Sequence, residues 1–265
     1  MKLLKYALSP EVTAFSTMRE GGFSTGEYAS FNANAFCGDD PVSVDRNRLL
    51  LASELHIPKE NLIFTHQIHS TRIRAIGADF LHLSPAERSN QLGGVDALMT
   101  DQRNVCLCIS TADCVPIIIY DHVKHIAACT HAGWRGSMQY IALKTIEAMK
   151  QTYHSDPSNC TAVIGPSISL LSFEVGDEVY SAFSDAGFDM SRIARRYFTT
   201  DSTEEEKWHI DLWECNRLQL IEAGVKEENI HVSGICTYLN ADQYFSARKL
   251  GVKTGRITSG IIIKS

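Results

Sequence analysis

A chain of 265 residues, 44% of them hydrophobic, is long enough to bury a substantial core without division, so one domain over residues 1–265 is expected. Its formal net charge of −6 is the opposite of the concentrated basic surface that nucleic-acid binding requires, which removes nucleic acid as an expected partner. There is no apolar run of about 18 residues to cross a membrane, and Met1-Lys2-Leu3-Leu4-Lys5 breaks its apolar start with a second lysine, so a cytoplasmic location with no membrane partner is expected.

The first third reads as a loop-rich entry, punctuated by Gly21-Gly22 and Gly38-Asp39-Asp40-Pro41, then a helix from Val44 to Leu55 on its apolar spacing. Pro58 marks the far side of that helix. Leu62 to Ile68 and Thr71 to Ile76 are expected as strands flanking a turn at His69-Ser70. Val105 to Ile109 and Val115 to Tyr120 are apolar strands around the polar interruption Ser110-Thr111-Ala112-Asp113-Cys114, and Ile126 to Thr130 is a third. A helix from about Ser137 to Tyr153 follows, then strand Thr161 to Gly165, helices Asp177 to Ala186 and Asp211 to Ala223, and strands Ile230 to Ile235 and Arg256 to Ile263. The acidic and polar segment Thr199 to Lys207 reads as a mobile, solvated surface loop. Interleaved helices and strands give an α/β (α+β) class. No periodic apolar helix face announces an oligomer, so a monomer is expected.

The eight cysteines show no regular spacing and read as reduced thiols, with Cys106 and Cys108 as small hydrophobes inside a strand. Cys114 and His131 stand out because each lies at a strand end, where a rigid scaffold offers side chains to a pocket. A strand, a turn and a second strand fit between them, so both can reach the same sheet edge. Gly133 and Gly136 around Trp134-Arg135 allow a sharp turn and close approach to a ligand. In Thr65-His66-Gln67-Ile68-His69 the two histidines point to opposite faces if the segment is extended, so only one can join the site. Two imidazoles and a thiolate are good zinc ligands, and such a set leaves a fourth position open, as catalytic zinc requires.

Gln67-Ile68-His69, Thr111-Ala112-Asp113-Cys114-Val115-Pro116 and His131-Ala132-Gly133-Trp134-Arg135-Gly136 resemble the signatures of the laccase-domain family, also described as peptidoglycan editing factor or polyphenol oxidase. The resemblance extends through Asn47-Arg48, Ile164-Gly165-Pro166, Glu174-Val175-Gly176, Asp211-Leu212, Cys236-Thr237 and Phe245-Ser246-Ala247-Arg248. It implies a single domain of mixed β-sheets layered with helices, an α/β/β/α-type sandwich, with His69, Cys114 and His131 as ligands to one Zn2+. It further implies a purine nucleoside phosphorylase acting on adenosine, inosine and methylthioadenosine with phosphate, with adenosine deaminase activity. The chain departs from the family pattern at Ser167, where many relatives carry cysteine, at Lys249 after Arg248, and in the spacing before Arg19.

With such a centre, Cys114, His131 and Asp113 are the candidate catalytic residues, Asp113 to orient water or protonate the purine ring. Arg19 and Arg248 are candidates to hold phosphate through paired hydrogen bonds, and Gln67 and Arg135 complete the expected substrate contacts. Two rival activities fit the same residues. A single Cu2+ could occupy the ligands and support polyphenol oxidation, although multicopper centres gather histidines through His-x-His pairs, which this chain lacks. A metal-free Cys114 nucleophile with His131 as base would instead make a hydrolase or amidase that edits a peptidoglycan precursor.

Overall fold

Residues 1–199 and 202–265 are described by a computed structural model. The N-terminal half forms β1 (Leu3–Tyr6), β2 (Val12–Thr17), α1 (Pro41–Leu55), β3 (Leu62–Phe64), β4 (Ile73–Ala75), α2 (Ala78–Leu81), α3 (Pro85–Leu92), β5 (Ala97–Thr100), β6 (Cys106–Thr111), β7 (Val115–Asp121) and β8 (Ile126–Ala132). The chain continues through α4 (Trp134–Met138), α5 (Ile141–Tyr153), β9 (Cys160–Ile164), β10 (Glu174–Val175), α6 (Asp177–Asp185), α7 (Met190–Ile193), β11 (Ala194–Thr199) and β12 (Ser202–Ile210). It closes with α8 (Leu212–Glu222), β13 (Ile230–Val232), α9 (Ala247–Leu250) and β14 (Ile257–Ile263).

Two mixed sheets, ordered β1-β2-β14-β6-β3 and β13-β9-β7-β8-β5-β4, stack face to face, and a small sheet β10-β12-β11 stands apart. The period-2 alternation of strands explains the stacking. From β6, Leu107 and Ile109 enter the layer between the sheets, where they share a core with Leu98, Ile118, Tyr120 and Cys129 of the second sheet. Cys106 and Cys108 point the other way and pack with Phe15, Phe64 and the α1 residues Leu51 and Ala52. On the outer face of the second sheet, Ile117, Ile119 and Ala162 meet Ile146 and Met149 of α5 and Leu212 and Leu220 of α8. Each such Leu or Ile, fully buried, contributes roughly 1.5–3 kcal/mol. The result is the expected α/β/β/α layering, and all eight cysteines are free thiols. Among the described residues no helix is long and apolar enough to cross a membrane.

Several elements differ from their sequence expectations. The α1 helix starts earlier than Val44, because Asp40 caps it by accepting from the Ser43 N–H and Pro41 occupies the first turn. The helix expected from Ser137 is split into α4 and α5 at Tyr140, whose φ of 63° breaks the helical path while its hydroxyl donates to the Ala186 carbonyl. The strand expected to run to Ile68 stops at Phe64, and the one expected to run to Ile235 stops at Val232. β1 and β2 were hidden in the apparent loop-rich entry: β2 is buried on both faces and so lacks the alternation of a half-exposed strand. The expected loop Thr199–Lys207 is largely strand, since β12 pairs antiparallel with β11 and β10; residues 200 and 201 lie outside the described residues.

Candidate metal centre

The chain passes from the first sheet to the second between β3 and β4, and again between β6 and β7. Both crossings supply candidate ligands. In the β6–β7 link, Asp113 adopts φ 83°, a left-handed conformation that costs a non-glycine residue about 1–2 kcal/mol. Its buried carboxylate offsets this by accepting from the Thr237 hydroxyl and the Arg248 N–H, each at 2.7 Å. The turn delivers Cys114 to the start of β7, and the antiparallel register Pro116↔His131 brings the end of β8 alongside. His69, in the β3–β4 link, has φ 63°.

The ligand atoms of His69, Cys114 and His131 all lie within 4.8 Å of one another, with Cys114 Sγ 3.7 Å from His69 Nε2. Donors bound at about 2.0–2.3 Å to one tetrahedral zinc stand roughly 3.3–3.8 Å apart, so the trio fits a single ion after a closure of about 1 Å. One thiolate and two imidazoles suit zinc or copper. Gly133 is required by proximity: a Cβ there would lie 2.5 Å from His69 Cδ2 and 3.2 Å from Cys114 Sγ.

Asp96, fully buried just ahead of β5, ties the histidines together. Its Oδ1 accepts from His131 Nδ1 at 2.7 Å and from the His69 N–H at 3.0 Å. Its Oδ2 accepts from the Ile68 and Ser70 N–H groups and from the Ser70 hydroxyl. This turns the other nitrogen of His131 toward Cys114, the arrangement by which a carboxylate orients a histidine that could hold a metal. Burial pushes the Asp96 carboxyl up, but the bonds from His131 and Ser70 prevail and hold it below the usual range.

Burial is likewise the largest single influence on Cys114 and raises its thiol, yet the charge and hydrogen bond of His131, with a further bond from His69, bring it down to about 6. Burial lowers His131, but Cys114 and Asp96 together lift it to about 9. Without metal, Cys114 and His131 are therefore a thiolate–imidazolium pair at neutral pH.

The centre opens into a pocket of about 380 Å³. Gln67 lines it, fixed by two hydrogen bonds to the backbone of Ser110. His66 lines the pocket wall, but of the two histidines only His69 joins the trio, as expected, although residues 66–69 are not an extended strand. The buried hydroxyls of Ser110 and Thr111 belong to lining residues and have no protein partner among the described residues.

The structure does not bring the other expected residues to this lining. Asp113 faces Thr237 and Arg248 as described. Arg19 is drawn off by the Ala29 and Ala241 carbonyls, at 2.7 and 2.8 Å. Arg135 is exposed above the Trp134 ring, and Arg248 reaches the carbonyls of Ser172 and Glu174. The arginine among the lining residues is Arg256, whose guanidinium donates to the carbonyls of Val252, Thr254 and Gly255. Sequence reading passed over Arg256, Ser110, Thr111 and Asp96; for Asp96 the available signal was an acidic residue after Gly93-Gly94 leading directly into the apolar run of β5.

Among proteins of known sequence, a purine nucleoside phosphorylase of Bacteroides thetaiotaomicron is 46% identical over 252 residues, covering 95% of this chain and 92% of the relative. The adenosine deaminase RL5 of an unknown prokaryotic organism is 38% identical, covering 100% of this chain and 99% of its own. Among solved structures, the hypothetical protein YfiH of Bacillus licheniformis superposes with a TM-score of 0.89 at 29% identity, over 99% of this chain and 96% of that one. YlmD from Geobacillus stearothermophilus gives 0.87 at 30% identity, over 98% and 94%. With the family model described as multi-copper polyphenol oxidoreductase laccase matching residues 13–264, the chain belongs to this laccase-like family.

Proposed function

We propose that the protein is a zinc-dependent purine nucleoside phosphorylase that cleaves adenosine, inosine and methylthioadenosine with phosphate to free base and ribose 1-phosphate, and that it also deaminates adenosine. The observation that carries this reading is the convergence of His69, Cys114 and His131 on a pocket, in a chain whose relatives bear the names purine nucleoside phosphorylase and adenosine deaminase.

In phosphorolysis a phosphate oxygen forms a bond to the anomeric carbon while the bond from that carbon to the purine nitrogen breaks. The electron pair leaves with the base, which takes up a proton. A divalent ion held by His69, Cys114 and His131 would supply Lewis acidity for the charge that develops. Asp96 fixes the ring of His131. Arg256 supplies positive charge for phosphate at the pocket wall. Asp113 contributes by holding the turn that presents Cys114.

The test pairs metal analysis of the purified protein with chromatography of adenosine incubated with and without phosphate. Adenine and ribose 1-phosphate that form only with phosphate are expected, and inosine marks deamination. Absence of both products from metal-loaded protein overturns the proposal.

A second reading draws on the pair Cys114 and His131 with Asp96 behind the imidazole, the arrangement of a thiol nucleophile, its base and an orienting carboxylate. Such a hydrolase or amidase would turn over without metal and be inactivated by iodoacetamide. A metal thiolate is shielded from the reagent until the ion is stripped. The copper-oxidase reading rests on the family description and the soft donor set; it requires phenol oxidation that follows copper content.

A further inference from the structure

Next to the metal pocket lies a second cavity of about 480 Å³, within the size range of small-molecule sites. Its walls come from α1, the segment Lys59–Phe64 and α3, and its lining is largely apolar, including Leu62, Phe64, Leu83 and Leu92. Phe36 and His66 line both spaces. Their rings stack at 4.4 Å with 20° between planes, forming a partition between the two.

Three cationic side chains line this cavity, and they are not equivalent. Lys59 is paired with Asp45 at 2.6 Å. Each nitrogen of Arg88 is engaged, donating to the carbonyls of Leu83, Glu60 and Leu81. Arg48 donates only through Nε, to the Ala33 carbonyl at 2.8 Å, with its guanidinium 4.4 Å above the Phe64 ring. Among the described residues its two terminal nitrogens have no hydrogen-bond partner and no carboxylate within ion-pair distance. Burial holds this guanidinium below its ordinary value, the mark of a cation partly stripped of water. A planar fork with both outer donors unengaged matches a carboxylate or phosphate in bidentate fashion.

We propose that this cavity is a second ligand site, separate from the metal centre, which binds a flat aromatic ring carrying one oxyanion. The oxyanion accepts from Arg48, and the ring lies in the apolar trough beside the Phe36–His66 partition. Two sources share that chemistry, a purine nucleoside 5′-phosphate and an aromatic carboxylate. The site is a matter of equilibrium binding and stands or falls independently of phosphorolysis at the metal.

The experiment is calorimetric titration of the full-length, metal-loaded protein with adenosine 5′-monophosphate, 2-naphthoate and uncharged adenosine. At least one of the two anions is expected to bind, and which one binds more tightly identifies the source. Arg48→Met is expected to weaken that anion by about tenfold or more, with metal affinity and adenosine binding unchanged. Since Arg48 also anchors Ala33, a second variant guards against misfolding. Ser89→Glu, on an exposed position of α3 that lines the cavity, leaves core packing alone and sets a carboxylate in competition for Arg48; it too is expected to weaken the anion. Cys114→Ala, which damages the metal centre, is expected to leave anion binding intact. Failure of both anions to bind at millimolar concentration overturns the proposal, as does an affinity that falls with Cys114→Ala and ignores Arg48→Met and Ser89→Glu.

Discussion

Asp96 is the residue on which the geometry of the two histidines turns, since one carboxylate holds His131 by its ring and the His69 loop by three backbone amides. In Asp96→Asn one side-chain oxygen becomes a donor that faces other donors. Metal affinity is expected to drop about 10–100-fold, measured by competition with a chromogenic chelator; unchanged affinity would remove Asp96 from the site's design. Gly133→Ala acts by space instead, since its Cβ displaces the His69 ring and crowds Cys114. A loss of roughly tenfold or more is expected, together with an altered cobalt absorption band. The pH dependence of metal binding follows from the opposing displacements of Cys114 and His131. Between about 6 and about 9 the thiol is already ionised while His131 still carries a proton that the ion must expel. Across that window these two groups make affinity rise about tenfold per pH unit. Below about 6 the thiol must also ionise, so the slope steepens; above about 9 both groups are ready and it flattens. A flat profile from pH 6 to 9 would show that the two are not linked in this way.

At the scale of elements, the β6–β7 link concentrates the consequences of one residue. Asp113→Ala removes two hydrogen bonds and leaves the Thr237 hydroxyl and the Arg248 N–H without that acceptor, for an expected loss of about 3 kcal/mol in urea unfolding. Metal content should nevertheless remain one ion per chain in the folded fraction; loss of the ion with unchanged stability would assign Asp113 to the centre itself. The pairing of Cys114 with His131 was legible in the sequence because both sit at the ends of unmistakable apolar strands, where register does the rest. What Arg19, Arg135 and Arg248 do was not legible. Their partners are backbone carbonyls and an aromatic face, and no residue pattern announces a carbonyl. The strand expected through Ile68 was not legible as a loop, because its path is set by a carboxylate distant in sequence, that of Asp96. The layered order of sheets and helices was readable from β6, β7 and β8, whereas β2, buried on both faces, concealed its alternation.

For the molecule as a whole, the ion would join the β3–β4 and β6–β7 links to the end of β8, so its binding would also contribute to folding. At a free metal concentration 100-fold above Kd this amounts to about 2.7 kcal/mol, or roughly 5–10 °C in Tm; a chelator that leaves Tm unchanged would show that the trio does not tie these segments together. The sheet order carries another consequence. β14 lies between β2 and β6, with ladders to both, while β1 and β2 stand on one side of it and β6 and β3 on the other. During synthesis those two halves therefore wait, unjoined, for a strand that begins 240 residues after β2 ends. Until residues 257–263 emerge from the ribosome, the edges of β2 and β6 lack the strand that joins them and stay open to aberrant pairing.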